Sequence, residues 1–85
     1  MYVELSTLAG YNSPMSPKSI EIDPEKLRAA RHRKGLSLRE FGQSIRMDHN
    51  LIWMYEAGRR NPIPRNLRRL AEALGVEPVD LIRES

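Results

Sequence analysis

The stretch GLSLREFGQSIRMDHNLIWMYEAGRRNP, Gly35 to Pro62, carries two helix starts and a helix stop in quick succession. Ser37, followed three residues later by Glu40, is a capping box that opens a helix through Phe41 to Ile45. Asp48 is placed to accept from the free N–H groups of the next helix, His49 to about Ala57, and Gly58 is placed to end it in the left-handed conformation. That helix contains five bulky residues in a row, Leu51, Ile52, Trp53, Met54 and Tyr55. At about 100° per residue, Ile52 and Tyr55 fall on the side of Asp48 and Glu56 and face inward. His49, Asn50, Trp53 and Met54 fall on the opposite side, with Leu51 on the flank. Two polar groups and two large soft ones are left facing outward.

Similar punctuation flanks this segment. Asp23 can cap a helix that starts at Pro24 and runs to Lys34, with Gly35 as its terminator. Beyond Gly58, Pro62 and Pro64 interrupt the chain, Pro64 or Arg65 starts a fourth helix, and Gly75 ends it after Leu74. Pro78 opens a short fifth. Leu27 and Ala30, Phe41 and Ile45, Ile52 and Tyr55, then Leu67, Leu70, Ala71 and Leu74 recur at the spacings that align on one side of a helix. Val76, Leu81 and Ile82 are placed to close the bottom of the core. The expectation is an all-α domain of five short helices around one core.

Upstream, Met1 to Asp23 reads as a separate N-terminal arm. YNSPMSPKS is turn material whose Pro14 and Pro17 exclude a helix. YVEL and SIEI could each form a short strand, although a flexible tail is the expectation favoured here. This divides the chain into an arm, 1–23, and a domain, 24–85. The arm holds Lys18 against Glu4, Glu21 and Asp23, whereas the remainder holds thirteen Lys and Arg against eight acids. A basic folded part suits a polyanionic partner.

At 85 residues, with 40% hydrophobic and 29% charged content, the chain can build one small core. It has no cysteine for a disulfide, so self-association would offset its marginal size. No apolar run approaches the roughly 18 residues of a membrane span, and MYVELSTLAG lacks the features of a signal peptide, so a cytoplasmic protein is expected. Enzyme chemistry, a metal site and a bound cofactor are not expected. His32 and His49 are the only histidines, and there is no glycine-rich phosphate loop or carboxylate cluster.

The ordered set Leu36-Ser37, Glu40-Phe41, Ile45, Met47, Ile52, Tyr55-Glu56, Gly58 and Asn61-Pro62, with the run Leu70 to Val76, resembles the Cro/CI repressor (Xre-type) helix-turn-helix family. With Leu27, Ala30 and Arg31 the likeness covers about sixty residues. It implies a five-helix, lambda-repressor-like DNA-binding domain with a short N-terminal arm and a helix-turn-helix at about 37–57. The second helix would lie across the major groove of double-stranded DNA and the third would enter it. The resemblance assigns base reading to His49, Asn50 and Met54, with Leu51 and Trp53 alongside. Asn can hold adenine by two hydrogen bonds, His can donate to guanine, and apolar groups can meet the thymine methyl. Backbone contacts are expected from Arg39, Arg46, Arg59, Arg60, Asn61 and Arg65, while Arg33, Lys34, Arg68 and Arg69 read as solvating charge. Arg31 and Glu56 occupy the positions of a structural ion pair between the first and third helices.

This chain departs from the family pattern at four positions. Leu38 replaces a glutamine that reaches a phosphate. Gly42 replaces a small alanine, keeping the space between helices at a cost of about 0.5–1 kcal/mol in helix stability. Arg46 replaces the turn glycine, so either the turn has another shape or it holds an L-residue in a strained conformation. Trp53 stands where polar residues are usual, and three readings stay open: groove contact, a protein interface, or packing against Arg59. The function implied is that of a small sequence-specific transcription regulator, a repressor of bacterial or phage origin, acting as a homodimer on two half-sites about 34 Å apart. Helix five, with Leu81 and Ile82, or the arm would supply the dimer contact. The alternative is a protein-interaction module on the same fold, an antitoxin, antirepressor or adaptor, whose partner binds the Trp53, Met54 and Leu51 face or the arm.

Overall fold

Three of the four α-helices begin at a residue whose side chain accepts from the N–H groups that a helix terminus leaves free. The computed structural model describes residues 21–84. In chain order these form α1 (Pro24–Arg33), α2 (Leu38–Ile45), α3 (His49–Glu56), α4 (Pro64–Leu74) and a 3-10 turn (Pro78–Leu81). Asp23 accepts from the N–H groups of Glu25 and Lys26 at the start of α1. At α2 the capping box is complete: the Ser37 hydroxyl accepts from the Glu40 N–H at 3.0 Å, and the Ser37 N–H donates to Glu40 Oε1 at 2.9 Å. The Ser37 backbone N–H, and then its hydroxyl, hold the Glu40 carboxyl below its ordinary pKa. Asp48 caps α3 by accepting from the Asn50 N–H at 2.9 Å.

The expected fifth helix is replaced by the 3-10 turn. Its bonds run from Asp80 N–H to the Glu77 carbonyl and from Ile82 N–H to the Val79 carbonyl, the three-residue spacing of a 3-10 helix. The chain then becomes extended at Ile82, which forms an isolated antiparallel bridge with Ile22. Asp23 N–H donates to the Leu81 carbonyl, and Arg83 N–H donates to the Glu21 carbonyl, both at 2.8 Å. Ile22, placed with the arm by the sequence, is therefore part of the folded unit and is buried in its core. The YVEL segment lies outside the described residues, as does all of SIEI except Glu21 and Ile22. Among the described residues no helix is long and apolar enough to cross a membrane.

α2 and α3 pack against each other, α3 rests on α1, and α2 also meets α4. The 3-10 turn closes the opposite end against α1 and α4. Leu27, Ala30, Phe41, Ile52, Tyr55, Leu67, Leu70, Ala71, Leu74 and Leu81 are buried, joined by Met47 and Ile22. Ile45, Val76 and Ile82 pack on this cluster from the edge. Leu81 is only 1% exposed, so it belongs to the core and is not free to form the dimer contact expected of it.

The α2–α3 turn keeps the left-handed shape that glycine usually supplies. Arg46 sits at φ 55° and ψ 47°, and is the one described non-glycine residue with a positive φ. Gly42, one turn earlier, is a requirement of this connection and not merely a spacer. A Cβ there would lie 2.5 Å from the Met47 carbonyl oxygen and 3.2 Å from the His49 nitrogen, both backbone atoms that cannot swing aside. The Met47 N–H in turn donates to the Gly42 carbonyl at 2.9 Å, holding the returning chain against the helix. Gly42→Ala is expected to destabilise the fold by about 1–3 kcal/mol through overpacking, outweighing its gain in helix propensity. Arg46→Gly should instead stabilise it by up to roughly 1 kcal/mol by relieving the left-handed conformation. Urea unfolding of both variants checks the pair, and a stable Gly42→Ala protein would contradict this account of the turn.

Candidate nucleic-acid interface

The geometry of the site follows from how one side of α3 is held. Ile52 is fully buried and Tyr55 and Glu56 nearly so. Burying the Glu56 carboxylate is costly unless it is paired, and Arg31 of α1 pairs with it. Arg31 Nε donates to Glu56 Oε2 at 2.7 Å, and Arg31 Nη2 donates to Oε1 at 2.9 Å. The third arm of the guanidinium, Nη1, donates to the Leu36 carbonyl at 2.8 Å, just before the α2 cap. Hydrogen bonding to Glu56 raises the Arg31 pKa above the ordinary guanidinium value, with burial opposing and the opposite charge assisting.

Two neighbours reinforce the placement. Arg28, one turn before Arg31, donates through Nη2 to the Glu56 carbonyl at 3.0 Å and so satisfies a free acceptor at the end of α3. Asn66 of α4 donates to the Tyr55 hydroxyl at 3.3 Å. Sequence reasoning found the Arg31–Glu56 pair through the family pattern but missed Arg28. A signal existed, since Arg28 and Arg31 share a face of α1 at the three-residue spacing.

With its inner side fixed, α3 turns the opposite side to solvent. Asn50 is exposed, Trp53 is 46% exposed, and His49, Leu51 and Met54 are half-buried. Leu51 packs against the core from its edge. The Asp48 carboxylate lies 4.0 Å from His49 Nδ1. It already occupies the N-terminus of α3, where it accepts from the Asn50 N–H. Of the three readings open for Trp53, the structure shows the third: the Arg59 guanidinium lies over the indole, 5.7 Å from its centroid.

Arg39, Arg46, Arg59, Arg60, Asn61 and Arg65 are all exposed. Arg39 and Arg46 border a shallow hollow of about 310 Å³ that also takes in Gln43 and His49. Gln43 went unnoticed in the sequence, although it stands four residues after Arg39 and shares its side of α2. Asn61 has a structural duty as well, because its Oδ1 accepts from the Ile22 N–H at 2.9 Å. Arg69, read from sequence as solvating charge, donates to the Ile45 carbonyl at the end of α2. Nothing in the spacing of α4 could have shown which helix end it faces. Leu38 packs against the core instead of reaching outward.

A capped helix, a left-handed turn and a second capped helix laid with one side on a helical core define a helix-turn-helix domain. A family model described as a helix-turn-helix domain matches residues 25–84, and the chain belongs to that family, in its Xre-type, Cro-like branch. A curated protein of Aeropyrum pernix that bears the name of an HTH-type transcriptional regulatory protein is 33% identical over 67 residues. The match spans 75% of this chain but only 20% of that protein. Among solved structures, the restriction-modification controller protein C.AhdI from Aeromonas hydrophila superposes with a TM-score of 0.64 at 33% identity, covering 67% of this chain and 86% of that one. A hypothetical transcription factor, NHTF from Neisseria, gives a TM-score of 0.64 at 25% identity, covering 81% and 87% respectively.

Glu56→Ala would leave the Arg31 guanidinium buried without its carboxylate, and a loss of about 3–5 kcal/mol in unfolding free energy is expected. Chemical denaturation followed by circular dichroism measures it. A loss below about 1 kcal/mol, the range of a surface pair, would show that the bridge does not fix α3.

Proposed function

We propose that this chain binds double-stranded DNA sequence-specifically as a transcription regulator, working as a repressor that occupies its operator as a homodimer. The observation that carries the reading is the outward side of α3. It offers Asn50, His49, Met54 and Trp53 beside five exposed arginines, Arg39, Arg46, Arg59, Arg60 and Arg65. The names borne by the relatives, a transcriptional regulatory protein, a restriction-modification controller and a transcription factor, support the same class.

In this reading α3 enters the major groove. Asn50 holds an adenine edge, His49 donates to a guanine, and Met54 meets a thymine methyl, with Leu51 on the groove wall. Arg39 and Arg46 take phosphates on one side of the groove. Arg59, Arg60 and Asn61 take them beyond the end of α3, where the amide nitrogen of Asn61 is the group left to donate. Arg65 lies at the start of α4, a terminus without a side-chain cap, where free N–H groups and the helix dipole add to its charge. Two copies related by a two-fold axis would set their α3 helices about 34 Å apart on one face of the duplex. With Leu81 in the core, the apolar group that the 3-10 turn offers to a second copy is Val79, which is 62% exposed.

Selection of bound fragments from random duplex DNA, followed by titration at several salt concentrations, tests the proposal. Affinity for the selected site should fall about a thousandfold or more between 50 and 200 mM salt if six or so phosphates are neutralised. Asn50→Ala should relax preference at one base pair by about 1–3 kcal/mol and leave the salt slope alone. Partner binding that is indifferent to salt would overturn the reading in favour of a protein-interaction module on the Trp53, Met54 and Leu51 face.

A further inference from the structure

Trp53 presents a large apolar surface to solvent, where the hydrophobic effect gives it nothing in return, but it has a partner within its own chain. α3 ends in a Schellman motif. Gly58 is left-handed at φ 74°, its N–H donates to the Tyr55 carbonyl at 3.2 Å, and the Arg59 N–H donates to the Met54 carbonyl at 2.8 Å. In this motif the residue after the left-handed glycine commonly makes an apolar contact with a side chain in the last turn of the helix. Here those two positions are filled by Arg59 and Trp53, and the contact is the guanidinium over the indole.

We propose that Trp53 is a positioning residue for Arg59: the indole holds the guanidinium at the edge of the α3 reading surface, ready to meet a DNA phosphate. The role rests on the DNA-binding reading above. A guanidinium stacked on a ring uses its face, and its in-plane N–H donors stay available to an anion. Among the described residues no carboxylate forms an ion pair with Arg59 that would compete for those donors. Ordering a long side chain on contact opposes binding, and a stack formed in advance removes part of that cost. The backbone bonds of the motif fix where Arg59 leaves the chain, and the indole fixes where its charged end goes.

The test is a double-mutant cycle on full-length protein with the selected duplex, comparing wild type, Trp53→Ala, Arg59→Ala and the double variant, with Trp53→Phe as the conservative control. Arg59→Ala should weaken binding and lower the salt slope by about 0.9, the share of one phosphate. Trp53→Ala should weaken binding about two- to fivefold, the range of an exposed cation–π pair converted at about 1.4 kcal/mol per tenfold, and should shift the slope in the same direction. The double variant should be no weaker than Arg59→Ala, and Trp53→Phe should recover most of the loss.

Independent losses that multiply in the double variant overturn the role, as does a Trp53→Ala protein with an unchanged salt slope and an altered base preference, which would make Trp53 a base reader. Should Trp53→Ala fail to fold, Trp53→Leu, which fills the space without a π-face, measured with and without Arg59→Ala decides on the same criterion, a weakening that disappears once Arg59 is gone. Wild-type protein that binds no duplex at low salt overturns the DNA-binding reading itself, an outcome distinct from wild-type binding with multiplying losses.

Discussion

The bidentate bond between Arg31 and Glu56 is the constraint on which the rest of the arrangement turns. A buried pair of opposite charges adds little net stability, because desolvation offsets most of the attraction. Its effect here is on direction. A planar guanidinium gripping both oxygens of one carboxylate accepts a narrow range of orientations, and Glu56 sits on the same side of α3 as Ile52 and Tyr55. Holding that side down fixes the rotation of the helix about its axis, and therefore which residues face outward. The third arm of Arg31, on the Leu36 carbonyl, ties the entry to α2 into the same contact. One side chain of α1 thus sets the relation between the two helices of the motif.

Three of the four departures from the family pattern fall in two local pairs, Gly42 with Arg46 and Trp53 with Arg59. Gly42 and Arg46 belong to one turn: the left-handed arginine brings the Met47 carbonyl back onto α2, and the missing Cβ at Gly42 leaves it room. Arg69 then reaches from α4 to the Ile45 carbonyl at the end of α2. Trp53 and Arg59 form the other pair. The exposed Trp53 indole has the guanidinium of Arg59, the residue after Gly58, lying over it.

Much of this could be read in the sequence because helix termini are written in local chemistry. Asp23, Ser37 with Glu40, Asp48, Gly58 and Gly75 act through atoms a few residues away, and α1 to α4 end within a residue of where those signals place them. The outward side of α3 was legible for a similar reason, since periodicity alone separates Ile52 and Tyr55 from Asn50 and Trp53. Contact between elements was legible only at Arg31 and Glu56, where the family pattern supplied it. The Arg28 bond to the end of α3, Arg69 at the end of α2, and Asn61 fastening Ile22 each join residues at least two dozen positions apart. A proline and a few apolar residues suit a 3-10 turn as well as a short α-helix, and the structure has a 3-10 turn at Pro78–Leu81.

The central claim is that α3, pinned by its Glu56 side, offers its Asn50 and Trp53 side to a DNA duplex. The most direct measurement is a residue-by-residue map of backbone amide shifts in isotope-labelled protein titrated with the selected operator fragment. Changes are expected to concentrate at Arg39, from Arg46 to Met54, from Arg59 to Asn61 and at Arg65, with Lys26 and Ala29 of α1 unmoved. Shifts gathered around Lys26 and Ala29, with α3 silent, would contradict it.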